Sequence, residues 1–200
     1  MLLASLEGRS TGLLVPCVSS AIRAVEAVIA EIAATDIPVL ITGETGTGKE
    51  VVAIAIHRAS QRRDGPLVNI RCSSLSPEDF SRLLPIRKTR GGNAIPGTLL
   101  LDEIADLDLP CQTKLLESLD GTDAGAETFQ PGASVISTTC QNLEQIMPSG
   151  QFRRDLFYRL SGVCLRLPPL RERKEDIAPL ANFFLDKYSR VFGRPRPQLG

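Results

Sequence analysis

The stretch ITGETGTGKE, residues 41–50, satisfies the pattern G-x-x-x-x-G-K through Gly43, Gly48 and Lys49. A loop of this pattern surrounds a phosphate with backbone N–H groups, and its lysine reaches the β- and γ-phosphates of a nucleotide. The next residue in the common form is Ser or Thr, whose hydroxyl binds Mg²⁺, whereas this chain has Glu50. Because the pattern arises by chance in about one in twenty chains of this length, its interpretation depends on the neighbouring sequence.

The residues on either side of the loop supply the context that a phosphate-binding loop requires. The run DIPVLIT (36–42) predicts a short strand before it, and KEVVAIAIHRAS (49–60) predicts a helix that begins at Lys49. The glycines, Gly46 among them, allow a tight turn, and the start of the helix favours an anion. The alternative, a glycine-rich turn with a solvated lysine, fits this arrangement less well.

Four further apolar runs predict the rest of a sheet. They are PLVNIRC (66–72), TLLLDE (98–103), ASVIST (133–138) and VCLRL (163–167). Helices are predicted at 19–34, with Ser19 or Ser20 as cap, and at 111–119, with Leu115, Leu116 and Leu119 on one face. The alternation of strands and helices indicates a doubly wound α/β fold with a mostly parallel sheet.

The run TLLLDE places two acidic side chains, Asp102 and Glu103, at the carboxyl end of a buried strand, where α/β proteins bind ligands. In a nucleotide site Asp102 would hold Mg²⁺ through its water shell, and Glu103 would orient and deprotonate the attacking water. Taken alone, a pair of surface acids after a strand is the better interpretation. Together with the glycine loop, the two acids indicate the second half of a P-loop NTPase.

Composition excludes several other classes of protein. The chain has 200 residues, 42% of them hydrophobic, with 23 basic and 23 acidic residues, so a globally basic nucleic-acid binder is not indicated. Five scattered cysteines without a C-x-x-C pair disfavour a disulfide framework or a zinc site. No run approaches the length of a membrane span, and the N-terminus is a poor signal peptide. We therefore expect a soluble, cytoplasmic protein without a membrane partner.

Two arginines, Arg153 and Arg159, lie in the segment FRRDLFYRLSGVCLRLPPLRERKEDI (152–177). An arginine that one subunit presents to a neighbour's γ-phosphate contributes about 10³–10⁵ to phosphoryl transfer. On a single helix, however, residues at this spacing point about 240° away from each other. The spacing alone therefore favours solvated arginines over a catalytic pair.

The motifs VLITGETGTGKE (39–50), GTLLLDEIADL (97–107), QTKLLESL (112–119) and the arginine segment occur in this order. From about residue 14 to the end, the chain resembles the AAA+ central domain of bacterial enhancer-binding transcription regulators, the sigma-54 interaction (NtrC-like) family. That family's phosphate loop ends in Glu, as at Glu50, and its helical lid follows PPLRER (168–173). With the charged stretch after LPPL (167–170), the resemblance predicts a linker at 1–13, a nucleotide-binding domain at 14–178 and the start of an incomplete lid at 179–200.

The resemblance also implies a set of site residues. ATP would be bound by the loop and by a polar sensor residue at the end of a strand: Gly43, Glu44, Thr45, Gly46, Thr47, Gly48, Lys49, Glu50 and Thr139. Asp102 would bind Mg²⁺ and Glu103 would act in catalysis. Arg153 and Arg159 would complete a neighbouring subunit's site. Such domains hydrolyse ATP in ring oligomers, usually hexamers, regulate RNA polymerase, and reach DNA through a domain outside these residues.

Several features depart from the family pattern. The interval SSLSPEDFSRLLPIRKTRGGNAIPG (73–97) is shorter than the family's and lacks the G-A-F-T-G-A loop of activators that remodel sigma-54 polymerase. Arg71 stands where the family usually has an Asn that couples the catalytic glutamate to the nucleotide state. Cys140 replaces the Asn that usually follows the sensor threonine. A branch similar to the tyrosine-responsive regulator TyrR also lacks the loop and acts with the housekeeping polymerase.

These departures leave two functions open. A working ATPase would couple hydrolysis to the remodelling of a polymerase complex. A nucleotide-gated oligomerisation module would hydrolyse little ATP and act without sigma-54 contact. The basic residues of the short interval are expected to form a solvated loop, with contact to a neighbouring subunit, polymerase or DNA phosphate as the alternative: Arg82, Arg87, Lys88 and Arg90.

Overall fold

The computed structural model describes residues 15–75, 78, 97–120 and 134–197. Two predicted features lie outside the described residues: the linker 1–13 and the basic cluster Arg82, Arg87, Lys88 and Arg90. All five cysteines are described, and each is a free thiol. Every helix in the described part of the chain is too short or too polar to cross a membrane.

Five short strands form one sheet in the described residues, in the spatial order β2-β3-β4-β1-β5. They are β1 (Val39–Thr42), β2 (Leu67–Arg71), β3 (Thr98–Asp102), β4 (Ser134–Thr139) and β5 (Val163–Arg166). Every neighbouring pair is parallel, and parallel neighbours require a crossover connection, which the intervening helices provide. The predicted α/β fold with a parallel sheet is confirmed.

The helices predicted at 19–34, 49–60 and 111–119 are present with ends within two residues of the prediction, and the described residues contain three more. In chain order, the helices are α1 (Ser20–Ile32), α2 (Lys49–Ala59), α3 (Leu109–Asp120), α4 (Leu143–Ile146), α5 (Arg154–Leu160) and α6 (Ile177–Phe192). Short 3₁₀ turns lie at Cys72–Ser74, Ile104–Asp106, Leu170–Glu172 and Lys174–Asp176. Ser19 is the cap of α1, because its hydroxyl accepts a hydrogen bond from the N–H of Ile22 at 3.3 Å.

The sheet separates two apolar layers, because successive residues of a strand face opposite sides. In β3, Leu99 and Leu101 pack in the layer that contains α3 and α5, whereas Leu100 packs with α1 and α2. All three leucines are at most 1% exposed. A strand covered on both faces is typically rich in apolar residues, and β3 is apolar from Leu99 to Leu101 before Asp102 reaches the edge of the sheet.

The strand order brings three chain segments together at the carboxyl edge of the sheet. β1 lies between β4 and β5, and β4 lies beside β3, so the loops after β1, β3 and β4 are neighbours. The N–H of Gly43 donates to the carbonyl oxygen of Thr139 at 3.2 Å, which joins the loop after β1 to the end of β4. Open α/β sheets bind ligands at such a change in strand order.

A buried carboxylate joins the segment before α1 to the chain that leads into α6. Asp176 accepts hydrogen bonds from the N–H groups of Val18 (2.6 Å) and Ser19 (2.8 Å) and from the Ser19 hydroxyl (2.6 Å). Arg173 lies 3.9 Å from Asp176 and donates to the carbonyl oxygen of Thr47 at 2.8 Å. Burial raises the pKa of Asp176, but the hydrogen bonds from Ser19 and Val18 outweigh burial and hold this pKa below its ordinary value.

We expect Asp176→Asn to lower the free energy of unfolding by about 2–4 kcal/mol at neutral pH, because an amide NH₂ then faces the donors. The folded-state pKa of Asp176 is depressed, so its contribution is complete above about pH 4 and is lost as the pH falls through the folded pKa. Urea unfolding at several pH values measures the difference in free energy of unfolding between Asp176→Asn and the unsubstituted chain. This difference should disappear in acid.

The matched control is Asp186→Asn, because Asp186 lies on α6 and pairs with Arg196 at 3.2 Å in a partly exposed position. Removing an exposed pair costs less than about 1 kcal/mol. Equal losses in the two variants, or a loss at Asp176 that does not change with pH, would show that the buried carboxylate is not the stabilising group.

Candidate functional site

The glycine loop leaves β1 and turns directly into α2. Gly46 and Gly48 have φ angles of 83° and 99°, in the left-handed region that residues with side chains rarely adopt. Gly48 is the cap of α2 and offers no side-chain bond to the first N–H groups of the helix. The first turn of α2 therefore presents backbone N–H donors and the positive end of the helix dipole to the loop.

The other loop residues differ in how far they are exposed to solvent. Thr45 is exposed, whereas Thr47 is buried and its hydroxyl donates to the carbonyl oxygen of Glu44 at 2.8 Å. The carboxylate of Glu44 accepts two hydrogen bonds from Arg171, of 2.7 and 2.5 Å, and these bonds lower its pKa. The loop is thus tied to the turn that follows β5.

Lys49 has its ammonium group at the mouth of the loop. Its Nζ lies 3.0 Å from the carbonyl oxygen of Gly43 and 3.4 Å from that of Glu44, and it pairs with Oε1 of Glu103 at 3.0 Å. The side chain is only 7% exposed, and a charge so far removed from water requires such partners. The structure therefore brings together the two motifs that the sequence places more than 50 residues apart.

Glu103 has a strained backbone that two hydrogen bonds support. Its φ of 55° and ψ of 61° are left-handed, and within the described residues it alone among non-glycine residues has a positive φ. Its N–H donates to Oγ1 of Thr138 at 3.1 Å, and its Oε2 accepts from the N–H of Cys140 at 2.7 Å. Backbone strain of this kind concentrates at functional sites.

The surroundings of Glu103 favour its ionised form. Burial raises the pKa of this carboxyl, but the Cys140 N–H and the Lys49 ammonium together outweigh burial and hold the pKa below its ordinary value. Because Lys49 is one of the groups that lower this pKa, removing Lys49 from contact would raise the proton affinity of Glu103.

Asp102, the last residue of β3, divides its two oxygens between two partners. Oδ1 accepts a hydrogen bond from the Thr138 hydroxyl at 2.7 Å, and Oδ2 lies 3.7 Å from Nε of Arg71. Glu50, in the position of the usual Ser or Thr, accepts from Nδ2 of Asn69 at 3.3 Å. A partly exposed carboxylate such as Asp102 fits Mg²⁺, which takes one or two protein carboxylates and completes its shell with water and phosphate oxygens.

Thr138 is a site residue that the sequence did not reveal. Thr139, the predicted sensor, is buried, and its hydroxyl accepts from the N–H of Gln141 at 3.0 Å. The hydroxyl that contacts both Asp102 and Glu103 belongs to Thr138, one residue earlier. The sequence feature that could have indicated Thr138 is the pair of threonines at the end of a buried strand. Successive strand residues face opposite sides of the sheet, so only one of the two threonines can face Asp102.

An apolar cavity of about 530 Å³ lies beside the loop. Its walls come from the loop, the segment before α1, and helices α1, α2 and α6 with the turn before α6: Val15, Cys17, Ile22, Gly46, Thr47, Gly48, Val51, Val52, Leu170, Arg173, Ile177, Leu180, Ala181 and Phe184. Arg173 is the charged residue in this wall, and its buried Nε has no hydrogen-bond partner among the described residues. Apolar walls of this kind fit a flat, largely apolar ring.

Of the two arginines, Arg159 lies within helix α5 and Arg153 precedes it. Arg153 is the extended residue before α5, with φ of −73° and ψ of 133°, so the two arginines are not spaced along a single helix. The N–H of Arg153 donates to the side chain of Gln112 at 2.8 Å, which fixes the chain before the helix begins.

Both guanidinium groups contact α3. Arg153 binds Asp155 through hydrogen bonds of 3.0 and 2.7 Å and donates to Oγ1 of Thr113 at 3.0 Å. Arg159 donates to the carbonyl oxygen of Leu119 at 2.8 Å. Their side chains are 37% and 50% exposed. Within the described residues, neither arginine has a hydrogen bond or ion pair with loop 43–50, so the fold does not bring them to the chain's own loop.

A family model described as the Sigma-54 interaction domain matches residues 17–170. The Nif-specific regulatory protein of Rhodobacter capsulatus is 39% identical over 188 residues, which cover 86% of this chain and 32% of that protein. Regulatory protein AtoC of Escherichia coli is 41% identical over 177 residues, which cover 80% of this chain and 38% of AtoC. The chain thus spans less than two fifths of the length of these relatives.

Crystal structures of NtrX from Brucella abortus have the same fold. The ADP complex is 33% identical with a TM-score of 0.82, covering 94% of this chain and 45% of that chain. The ATP complex is 33% identical with a TM-score of 0.81, covering 96% of this chain and 47% of that chain. Since the family model matches well over half of the residues, the chain belongs to the sigma-54 interaction family, the AAA+ P-loop domains of NtrC-like bacterial transcription regulators.

Proposed function

We propose that this chain binds ATP with Mg²⁺ and hydrolyses the ATP in a ring oligomer that regulates transcription. The observation that carries the proposal is the 3.0 Å contact between Lys49 and Glu103, which joins the glycine loop to the acidic motif. The ADP and ATP complexes of the similar NtrX support nucleotide binding. In this proposal residues 14–178 form the nucleotide-binding domain, and 179–200 begin its lid.

The loop and the neighbouring cavity bind different parts of the nucleotide. The N–H groups of loop 43–50 and of the first turn of α2 surround the triphosphate. The apolar cavity beside the loop receives the adenine ring. Thr139, the last residue of β4, lies next to the loop, because its carbonyl oxygen accepts a hydrogen bond from the N–H of Gly43.

Lys49 exchanges its partner when the nucleotide binds. Its ammonium now neutralises Glu103, whereas a triphosphate offers more negative charge at the mouth of the same loop. As Lys49 turns to the β- and γ-phosphates, the pKa of Glu103 rises, because one of the groups that lowered it has left. Glu103 then becomes a better acceptor for the proton of the attacking water.

Asp102 and Thr138 form the metal-binding part of the site. Magnesium ATP supplies the reactive phosphoanhydride and an electrophilic cation that polarises it. Oδ2 of Asp102 would hold Mg²⁺ through the metal's bound water, while the Thr138 hydroxyl keeps Oδ1 in place. The same hydroxyl accepts from the backbone of Glu103, so one side chain orients both acids.

Arg153 and Arg159 act on the nucleotide of a neighbouring subunit. Both side chains are partly exposed, and both form hydrogen bonds with α3 rather than with loop 43–50 of the same chain. A head-to-tail contact between identical subunits closes a ring, here a hexamer, and places these arginines at the next site.

The full-length protein reaches DNA through a domain outside this chain and acts on RNA polymerase holoenzyme. The short interval 73–97 favours the housekeeping sigma factor over sigma-54.

A second candidate function is a nucleotide-gated oligomerisation module that hydrolyses little ATP. Arg71 favours it, because a guanidinium group 3.7 Å from Asp102 places a second cation at the metal ligand. The two hydrogen bonds that orient Glu103 favour the ATPase, because hydrolysis requires a positioned proton acceptor. ATP-driven self-association without phosphate release above background would select the module.

We expect Glu103→Gln to reduce phosphate release by the full-length protein by about 10²–10⁴, because the proton acceptor is lost. ATP binding should be retained or tightened, since Lys49 no longer has a competing carboxylate. Phosphate release and equilibrium binding of ATP, measured on the same preparation, separate the two effects. Glu31→Gln, on the exposed side of α1, is the matched control, and phosphate release that survives in Glu103→Gln would exclude the assigned role.

Thr138→Val should reduce phosphate release about ten- to hundredfold, because Asp102 and the strained Glu103 both lose their hydrogen bond to the hydroxyl. The same loss should lower the free energy of unfolding by about 1–2 kcal/mol. Thr138→Ser keeps the hydroxyl and should retain both activity and stability. If Val and Ser have the same effect, the hydroxyl has no orienting role.

A further inference from the structure

Arg71 ends the edge strand β2 directly beside the metal-binding acid. In the register of the sheet its partner on β3 is Asp102, so the two residues lie side by side at the carboxyl edge. Nε of Arg71 lies 3.7 Å from Oδ2 of Asp102. Neighbouring parallel strands are about 4.8 Å apart, so this contact follows from the register and requires no long reach.

The two oxygens of Asp102 are not equivalent. Oδ1 already accepts a short hydrogen bond of 2.7 Å from Thr138, which leaves Oδ2 as the oxygen for a cation. Oδ2 is the oxygen that Arg71 approaches. The carboxylate is 19% exposed while the Arg71 side chain is 73% exposed, so the guanidinium is the more solvent-exposed partner of the pair.

A second polar residue of β2 engages the other carboxylate near the metal position. Asn69 lies two residues before Arg71, so the two side chains leave the same face of the strand. Nδ2 of Asn69 donates to Oε1 of Glu50, which occupies the loop position of the usual magnesium-binding hydroxyl. The edge strand therefore contacts both carboxylates that flank the place of the metal.

We propose that Arg71 is a built-in competitor of Mg²⁺ for Asp102 and so sets how strongly nucleotide binding depends on the metal. The inference rests on the proposed function. A metal ion near Oδ2 of Asp102 requires the guanidinium of Arg71 to leave. The free energy of breaking the Arg71–Asp102 pair therefore lowers the observed affinity for the metal. An exposed ion pair of this kind corresponds to about a two- to fivefold change in affinity.

The test compares nucleotide affinity with and without the metal in Arg71→Gln. A fluorescent ATP analogue is titrated against the complete chain, once in EDTA and once in saturating Mg²⁺. The ratio of the two dissociation constants reports the coupling between metal and nucleotide. We expect this ratio to rise about two- to fivefold in Arg71→Gln and the increase to shrink at high ionic strength, which screens exposed charges.

Arg63→Gln is the matched control, because Arg63 is an exposed arginine that pairs with Asp64 at 3.7 Å and is not in the site. Its ratio should equal that of the unsubstituted chain. An unchanged ratio in Arg71→Gln, with an unchanged melting temperature, would overturn the competition. A lower ratio would also overturn it, since Arg71 would then assist the metal-bound nucleotide. Failure of the unsubstituted chain to bind the analogue at all would instead contradict the proposed function, and with it this inference.

Discussion

An ammonium group and a carboxylate 3.0 Å apart, those of Lys49 and Glu103, hold the two halves of the site together. Lys49 is nearly buried, so its charge depends on this carboxylate and on the carbonyl oxygens of the loop. The pair exists because β1 and β3 end at the same edge, with β4 between them. From β4 and the residue after it, Thr138 and Cys140 fix Glu103 from the other side. A slip in register would separate the pair.

The loop is also connected to the chain around α6. Arg171 binds the carboxylate of Glu44, and Arg173 donates to the carbonyl oxygen of Thr47, so two arginines hold the loop from the same turn region. Asp176, three residues further on, binds the segment before α1. The loop and the chain that leads into α6 are therefore in direct contact. These contacts reach the start of the segment 179–200, where the lid is predicted.

The sequence predicted what is local and periodic. Short apolar runs gave the strands, and the glycine spacing gave the loop, because the backbone itself imposes both patterns. The sequence did not predict which side chains would meet. The pairing of Arg71 with Asp102 follows from strand register, and the contacts of Thr138 follow from the facing of β4. The sequence also did not show that Arg153 precedes helix α5 while Arg159 lies within it, so their angular relation on a single helix could not describe the pair.

A crystal structure of this chain with Mg²⁺ and a non-hydrolysable ATP analogue tests the central claim most directly. We predict that Lys49 leaves Oε1 of Glu103 and lies within about 3 Å of phosphate oxygens. The Cys140 N–H should continue to hold Glu103, and the adenine should lie in the cavity beside Arg173. A loop without nucleotide at saturating analogue, or a bound nucleotide with Lys49 still paired to Glu103, would contradict the account.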